Sequence, residues 1–133
     1  NNDLDLWEEI RLAALVHKLE SGDPTAIPAG TALAMATRMG AAAVGLGDRV
    51  GQLAPGMQAD LVQVDFTRAR HQPLYDVVSH LVYVLDSQDV VTTVVAGRLL
   101  MHERQVLSID EAALRRDVAR LQSRISAALA GEE

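Results

Sequence analysis

The stretch GQLAPGMQADLVQVD, Gly51–Asp65, governs how the rest of the sequence is read. Pro55 and Gly56 suit the two central positions of a type II turn, because Pro presets φ and Gly accepts a positive φ. Beyond them Val62, Val64 and Phe66 alternate with Gln63 and Asp65, the period of a strand with one buried and one polar face. Residues 49–66 are therefore expected to form a β-hairpin.

Upstream of Arg49 the pattern is helical. Asp5 suits an N-cap, with Glu8 three residues later as in a capping box. Leu6, Trp7, Ile10, Ala13, Ala14 and His17 recur at helical spacing until Ser21-Gly22-Asp23-Pro24 ends the run. After the connector SGDPTAIPAG, residues 29–44 read as an Ala-rich helix with Gly40 inside it and Gly45 and Gly47 at its end. Its small side chains allow another element to approach closely, so it is expected to be packed.

Downstream, a short helix is expected near Tyr75–Val82. The β-branched run Val90–Val95 reads as a strand, and Ala96-Gly97 as the tight turn of a second hairpin that continues to Ser108. Ser108 and Glu111 have the S-x-x-E spacing of a capping box. The helix they open carries one apolar stripe, Leu114, Val118, Leu121, Ile125 and Leu129. Four short strands make a small sheet that needs covering by helices or a second sheet.

Composition bounds the function. The 133 residues fit one domain, 49% hydrophobic and 23% charged, with a core that must be aliphatic because aromatics are only 3%. That scarcity, with a formal net charge of -6, argues against nucleic acid as a partner. No apolar run is long enough to span a bilayer, and no stretch resembles a targeting segment. The absence of Cys excludes disulfides, thiolate catalysis and Cys-based zinc sites, and a reducing cytoplasm is the default compartment.

The side chains that carry chemistry are scattered. His17, His71, His80 and His102 form no H-x-H or H-x-x-x-H pair and no H-E-x-x-H helix. His17 suits a helix C-terminus, His71 and His102 are expected to be solvated, and His80, within VVSHLVY, is expected to be the buried one. Asp3, Asp5, Glu8 and Glu9 complement a helix N-terminus, and Asp23, Asp48 and Asp86 read as turn residues. No serine sits in a G-x-S-x-G elbow, and the glycines of MGAAAVGLGDRVG do not follow a strand as a dinucleotide site requires. No self-sufficient active site emerges.

Family resemblance extends this reading. GQLAPGMQADLV resembles the G-x-L-x-P-G-x-x-A-D-L-V signature of the C-terminal β-sandwich of the amidohydrolase superfamily. TRMGA, Thr37–Ala41, resembles the A-T-x-x-G-A helix that leads into it, and VVTTVVAGRLLM resembles the following hairpin. NNDLDLWEEIRLAALVHK and PLYDVVSHLVYVLDSQDVVTTVVAGRLL are similar to the cytosine-deaminase-like and triazine-hydrolase branch. Within it they most resemble the 5-methylthioadenosine/S-adenosylhomocysteine deaminases.

The resemblance implies a mixed α/β fragment: the last helices of a (β/α)8 barrel, the C-terminal strands of a composite β-sandwich and a closing C-terminal helix. The corresponding bounds are residues 1–48, 49–107 and 108–133. It implies hydrolytic deamination of an amino-substituted ring by a parent enzyme that uses a divalent metal, usually zinc, to generate hydroxide from water. The family's metal ligands are a T-D-G aspartate, an H-x-H pair and two later His. They would precede Asn1, so neither catalytic nor metal residues are expected in this chain. Asn1, Asn2 and Asp3 would lie in a loop on the active-site face as substrate-loop residues, and His80 matches a family S-H-L-V stretch without an assigned role. The implied partners are a small heterocyclic substrate and either a second copy of the chain or the missing N-terminal part. Two other readings stay open: a non-catalytic α+β binding or oligomerisation module, and a small hydrolase using His80 with a nearby Asp.

Overall fold

The computed structural model describes residues 4–130. Helix α1, Leu6–Ser21, begins as the sequence indicates. The Asp5 carboxylate accepts from the amides of Trp7 at 2.8 Å and Glu8 at 3.3 Å, satisfying donors that a first helical turn leaves open. The second helical stretch consists of α2 (Ala29–Ala34), a π-helical turn (Met35–Met39) and α3 (Gly40–Ala43). A Cβ on Gly40 would stand 2.7 Å from the Met35 carbonyl oxygen, so the wide turn closes because no side chain is there.

Helix α4, Val77–Tyr83, is capped by Asp76, whose carboxylate accepts from the Ser79 amide at 2.6 Å. Ala14, Ala32 and Val82 form the buried centre of the α1, α2 and α4 cluster, with Ile10, Ile27, Leu33 and Tyr83 around them. Two alanines at the centre let the helix axes come close, as the Ala-rich composition implies. Polar side chains of α1 complete the seam by bonding open carbonyls at the end of α4. Trp7 Nε1 donates to Leu81 O at 2.5 Å, and Arg11 donates to Leu85 O at 2.5 Å and Val82 O at 3.3 Å. Lys18 Nζ bonds the carbonyls of Ala14, Ala26 and Ile27, fastening the connector to α1.

The strands form one four-stranded antiparallel sheet in the order β1 (Leu61–Val64), β2 (Val90–Val95), β3 (Arg98–His102) and β4 (Gln105–Val106). Leu61 lies opposite Val94, and the register shifts between Gln63 and Val64. Ala96 and Gly97 make the expected tight turn, both with positive φ, as a type I′ hairpin requires. Glu103 and Arg104 also have positive φ and fold β3 back onto β4. The segment expected as a single arm is therefore two strands.

The hairpin expected over residues 49–66 is not formed. Its turn is present: Met57 N donates to Ala54 O at 3.1 Å, and Gly56 has φ 89°. Only the downstream arm becomes a strand, and it pairs with β2. The upstream arm lies on the helix instead. A Cβ at Gly51 would sit 2.8 Å from Ala41 Cβ and 2.9 Å from Arg38 Cα. The close approach to the Ala-rich helix is thus made by a loop.

Helix α5, Glu111–Ala130, also differs at its start. Its cap is Asp110, which accepts from Ala113 N at 2.9 Å, in place of the expected Ser108. Asp110 stands directly before the helix, where its short carboxylate reaches the third amide. No residue of α5 is buried. Among the described residues, no helix is long and apolar enough to cross a membrane.

Candidate functional site

The most concentrated polar cluster lies where two short 3₁₀ turns, Ala69–His71 and Ser87–Asp89, meet beside the start of β2. Asp89 immediately precedes the apolar run of β2, and its carbonyl accepts from Asp65 N at 2.9 Å. Its side chain is fully buried. A buried carboxylate requires partners, and the chain supplies them from both turns.

His71 is also fully buried, with Nε2 3.2 Å from Asp89 Oδ2 and the Phe66 ring edge-on at 6.1 Å. Arg70 Nη2 donates to Asp89 Oδ2 at 2.6 Å, and its Nη1 donates to Asp86 Oδ2 at 2.7 Å. Arg68 Nη1 stands 3.6 Å from Asp89 Oδ1. Within the second turn Asp86 N donates to Asp89 Oδ2 at 3.1 Å, and Asp86 Oδ1 accepts from Gln88 N at 2.9 Å. Ser87 Oγ then donates to Asp5 Oδ2 at 2.6 Å, joining the cluster to the cap of α1.

The charges are mutually adapted. Burial pushes the Asp89 carboxyl up, but the Arg70 bond, the Asp86 amide and the nearby positive charge outweigh it and hold the group below its ordinary value. Asp86 is lowered chiefly by the bond from Arg70, whose own pKa is raised by Asp86 and then Asp89. Asp5 is lowered first by the Ser87 hydroxyl and further by the Trp7 and Glu8 amides, against burial. With Arg70, His71 and the Asp86 amide all on Oδ2, Asp89 acts as a clamp and not as a free base, and its buried Oδ1 has only the Arg68 guanidinium near it, at 3.6 Å. Ser87 bonds a carboxylate, so no serine–histidine pair is set up here.

The cluster does not fit a zinc ion. Arg70 occupies the face of Asp89 that a cation would need, and His71 is the sole imidazole in the group. Among the described residues, no three His, Cys, Asp or Glu side chains are grouped to hold a metal.

The sequence misjudged two histidines. His71, expected to be solvated, is buried, whereas His80, expected to be buried, is partly exposed with Nδ1 3.0 Å from the Asp76 carbonyl. His17 and His102 are exposed. Asn1, Asn2 and Asp3 lie outside the described residues. Arg68, Arg70 and Asp89 were not singled out by sequence. Two signals pointed to them: the cationic run RARH at 68–71, and a carboxylate set against an apolar strand.

The mixed α/β architecture, one antiparallel sheet with helices beside it, is similar to amidohydrolase-superfamily structures. The amidohydrolase family matches residues 1–100, and the chain belongs to it. It is 52% identical over 111 residues to a 5-methylthioadenosine/S-adenosylhomocysteine deaminase of Pelotomaculum thermopropionicum, covering 84% of this chain and 25% of that protein. It is 50% identical over 111 residues to a 5'-deoxyadenosine deaminase of Methanosarcina barkeri, with the same coverage. The crystal structure of an adenosine deaminase from Xanthomonas campestris with bound zinc superposes with a TM-score of 0.91 at 40% identity, covering 96% of this chain and 29% of that one. The chain thus spans about a quarter of the length of the curated relatives it matches.

Proposed function

We propose that this chain is the C-terminal part of a metal-dependent amidohydrolase that deaminates an adenosine-type nucleoside. The observation that carries the reading is the close superposition on the zinc-containing adenosine deaminase along nearly the whole chain. The names of the two curated relatives described above, both for adenosine-type deaminases, support the same substrate class. In this reading residues 1–48 are the last helices of the (β/α)8 barrel, 49–107 the C-terminal part of the composite β-sandwich, and 108–133 the closing helix. The metal, zinc by analogy with that deaminase, belongs to the parent protein. The parent works in the cytoplasm, in keeping with a chain free of Cys.

The role this assigns to the chain is architectural. The Asp86–Asp89 turn, fixed by Arg70 and His71, holds Asp5 through Ser87 and so fixes where α1 begins. Asn1, Asn2 and Asp3 immediately precede that point and are proposed as substrate-loop residues.

The test begins with the coding DNA upstream of the Asn1 codon. The polypeptide it encodes, loaded with zinc, is assayed for ammonia release from 5'-methylthioadenosine, S-adenosylhomocysteine, 5'-deoxyadenosine and adenosine. Deamination of at least one by the longer protein, and of none by the 133-residue chain, is the expected result. A zinc-loaded longer protein inert toward every one of these overturns the reading.

A further inference from the structure

We propose that Ser87 is a positioning residue for substrate binding: through Asp5 it fixes the entry of α1, and with it the loop that contacts the nucleoside. The inference rests on the reading of residues 1–48 as the last helices of a (β/α)8 barrel. In such a barrel each helix is entered from a βα loop, and the βα loops build the active-site face. The N-terminal end of α1, where Asp5 stands, belongs to that face in this reading, and residues 1–3 precede it in the sequence.

The first turns of α1 are fastened to one continuous segment, residues 81–89. Trp7 Nε1 donates to Leu81 O at 2.5 Å, and Arg11 donates to Leu85 O at 2.5 Å and to Val82 O at 3.3 Å. These bonds hold the body of the helix against the end of α4. The Ser87 hydroxyl makes the contact nearest the entry, 2.6 Å from Asp5 Oδ2 and 82 positions away in sequence.

Two features suit that contact to positioning. The cap of α1 is made by Asp5 Oδ1, through the Trp7 and Glu8 amides, which leaves Oδ2 to Ser87. The helix start can thus form without Ser87, and the hydroxyl decides only where that start is held. The turn that carries Ser87 is itself well anchored. Asp86 Oδ1 accepts from Gln88 N, Asp89 Oδ2 accepts from Asp86 N, and Asp89 is buried against Arg70 and His71.

Loss of the tie has its own kinetic signature. With the Asp5 cap and the Trp7 and Arg11 bonds intact, the fold persists and only the entry of α1 is released. A loop that binds the substrate equally in its ground and transition states alters KM and leaves kcat alone when it is displaced. Loss of folded protein does the opposite, because fewer active molecules lower the apparent kcat at constant KM.

The test uses the full-length parent loaded with zinc, with whichever of the four nucleosides it deaminates. Ser87→Ala should raise KM about fivefold and leave kcat within about twofold of the parent value. Calorimetry with the deaminated product should show its affinity falling by the same factor. Ser87→Thr keeps the hydroxyl and should restore both quantities. Gln88 bonds Asp86 and Arg104 through its backbone, so Gln88→Ala in the same turn should change neither. A Ser87→Ala enzyme with unchanged KM and product affinity overturns the proposal, as does a fall in kcat alone or a failure of Ser87→Thr to rescue. A parent inert toward every nucleoside overturns the functional reading itself, and the positioning role with it, so the two failures are told apart.

Discussion

His71 and Asp89 meet in the interior, Nε2 to Oδ2 at 3.2 Å, with both side chains fully buried and Arg70 closing the carboxylate at 2.6 Å. Their attraction joins the loop before α4 to the start of β2. Removing the Asp89 carboxylate leaves the buried His71 ring without its one side-chain partner, the costly way to break such a pair. Asp89→Asn keeps the volume and removes the charge, and should destabilise the chain by about 2 kcal/mol in urea unfolding. His80→Gln, at a partly exposed site, should leave the same midpoint almost unmoved. Equal effects of the two substitutions would contradict the burial order found here.

The same cluster sets an acid limit. Asp5, Asp86 and Asp89 all have pKa values lowered in the folded chain, and Asp65 is lowered to about 2 from 3.8, chiefly by the Thr67 hydroxyl and amide. A carboxylate lowered by folding adds stability that is complete above its unfolded value and is lost as pH falls through the folded one. The melting temperature should therefore be flat above about pH 5 and fall steadily from about pH 4 to about pH 2. In an NMR carboxyl titration, Thr67→Val should move the Asp65 midpoint upward. A midpoint unchanged by that substitution would remove the hydroxyl as the main cause.

Asp5 has two tasks that mutation can separate. Its Oδ1 caps α1 through the Trp7 and Glu8 amides, and its Oδ2 accepts from Ser87. Asp5→Ala removes both and should cost about 1–2 kcal/mol, the range for a lost N-cap. Ser87→Ala removes only the tie to the 3₁₀ turn and should cost less than half as much. Hydrogen exchange at the first amides of α1 should rise in D5A and stay near the parent value in S87A. Equal exchange in the two variants would show the tie, and not the cap, to hold the helix start.

Local chemistry was legible in the sequence at several turns and caps, though not at the start of α5, where Asp110 takes the place of Ser108. Asp5 as a cap, Pro55-Gly56 as a turn and Ala96-Gly97 as a hairpin turn depend on a few adjacent atoms, and each is found where the residues place it. Pairing at a distance was not. Val62 and Val64 announced a strand, but nothing local tells whether its partner is the arm across the turn or β2; packing of Gly51 against Ala41 decides. The turn at Glu103-Arg104 lacks Gly, Asn or Asp, so its positive φ values had no local signature. His71 sits in a polar run and His80 in an apolar one, so hydropathy ranked their burial in the wrong order. Burial at His71 is set by Asp89, 18 residues away. The family could be read because its signature follows these turns, whereas the interior clamp is a tertiary property of Arg70, His71 and Asp89.

The loop that replaced the expected strand can be tested through its tightest contact. At Gly51 φ is 97°, a conformation that L side chains rarely adopt, and an added Cβ would stand 2.8 Å from Ala41 Cβ and 2.9 Å from Arg38 Cα. Backbone stands on the far side of that contact, so relief requires the loop to lift from the π-turn region of the helix. Gly51→Ala should therefore cost about 2–4 kcal/mol, combining strain at positive φ with overpacking. Gly30 provides the contrast. It lies in α2, and a Cβ there would meet nothing within 4 Å. Gly30→Ala should stabilise the chain by about 0.5–1 kcal/mol through the lower backbone entropy of Ala. Thermal melts of the two variants should move in opposite directions. If Gly51→Ala melts with the parent, the loop does not press on Ala41, and a β-hairpin becomes the better account of residues 49–66.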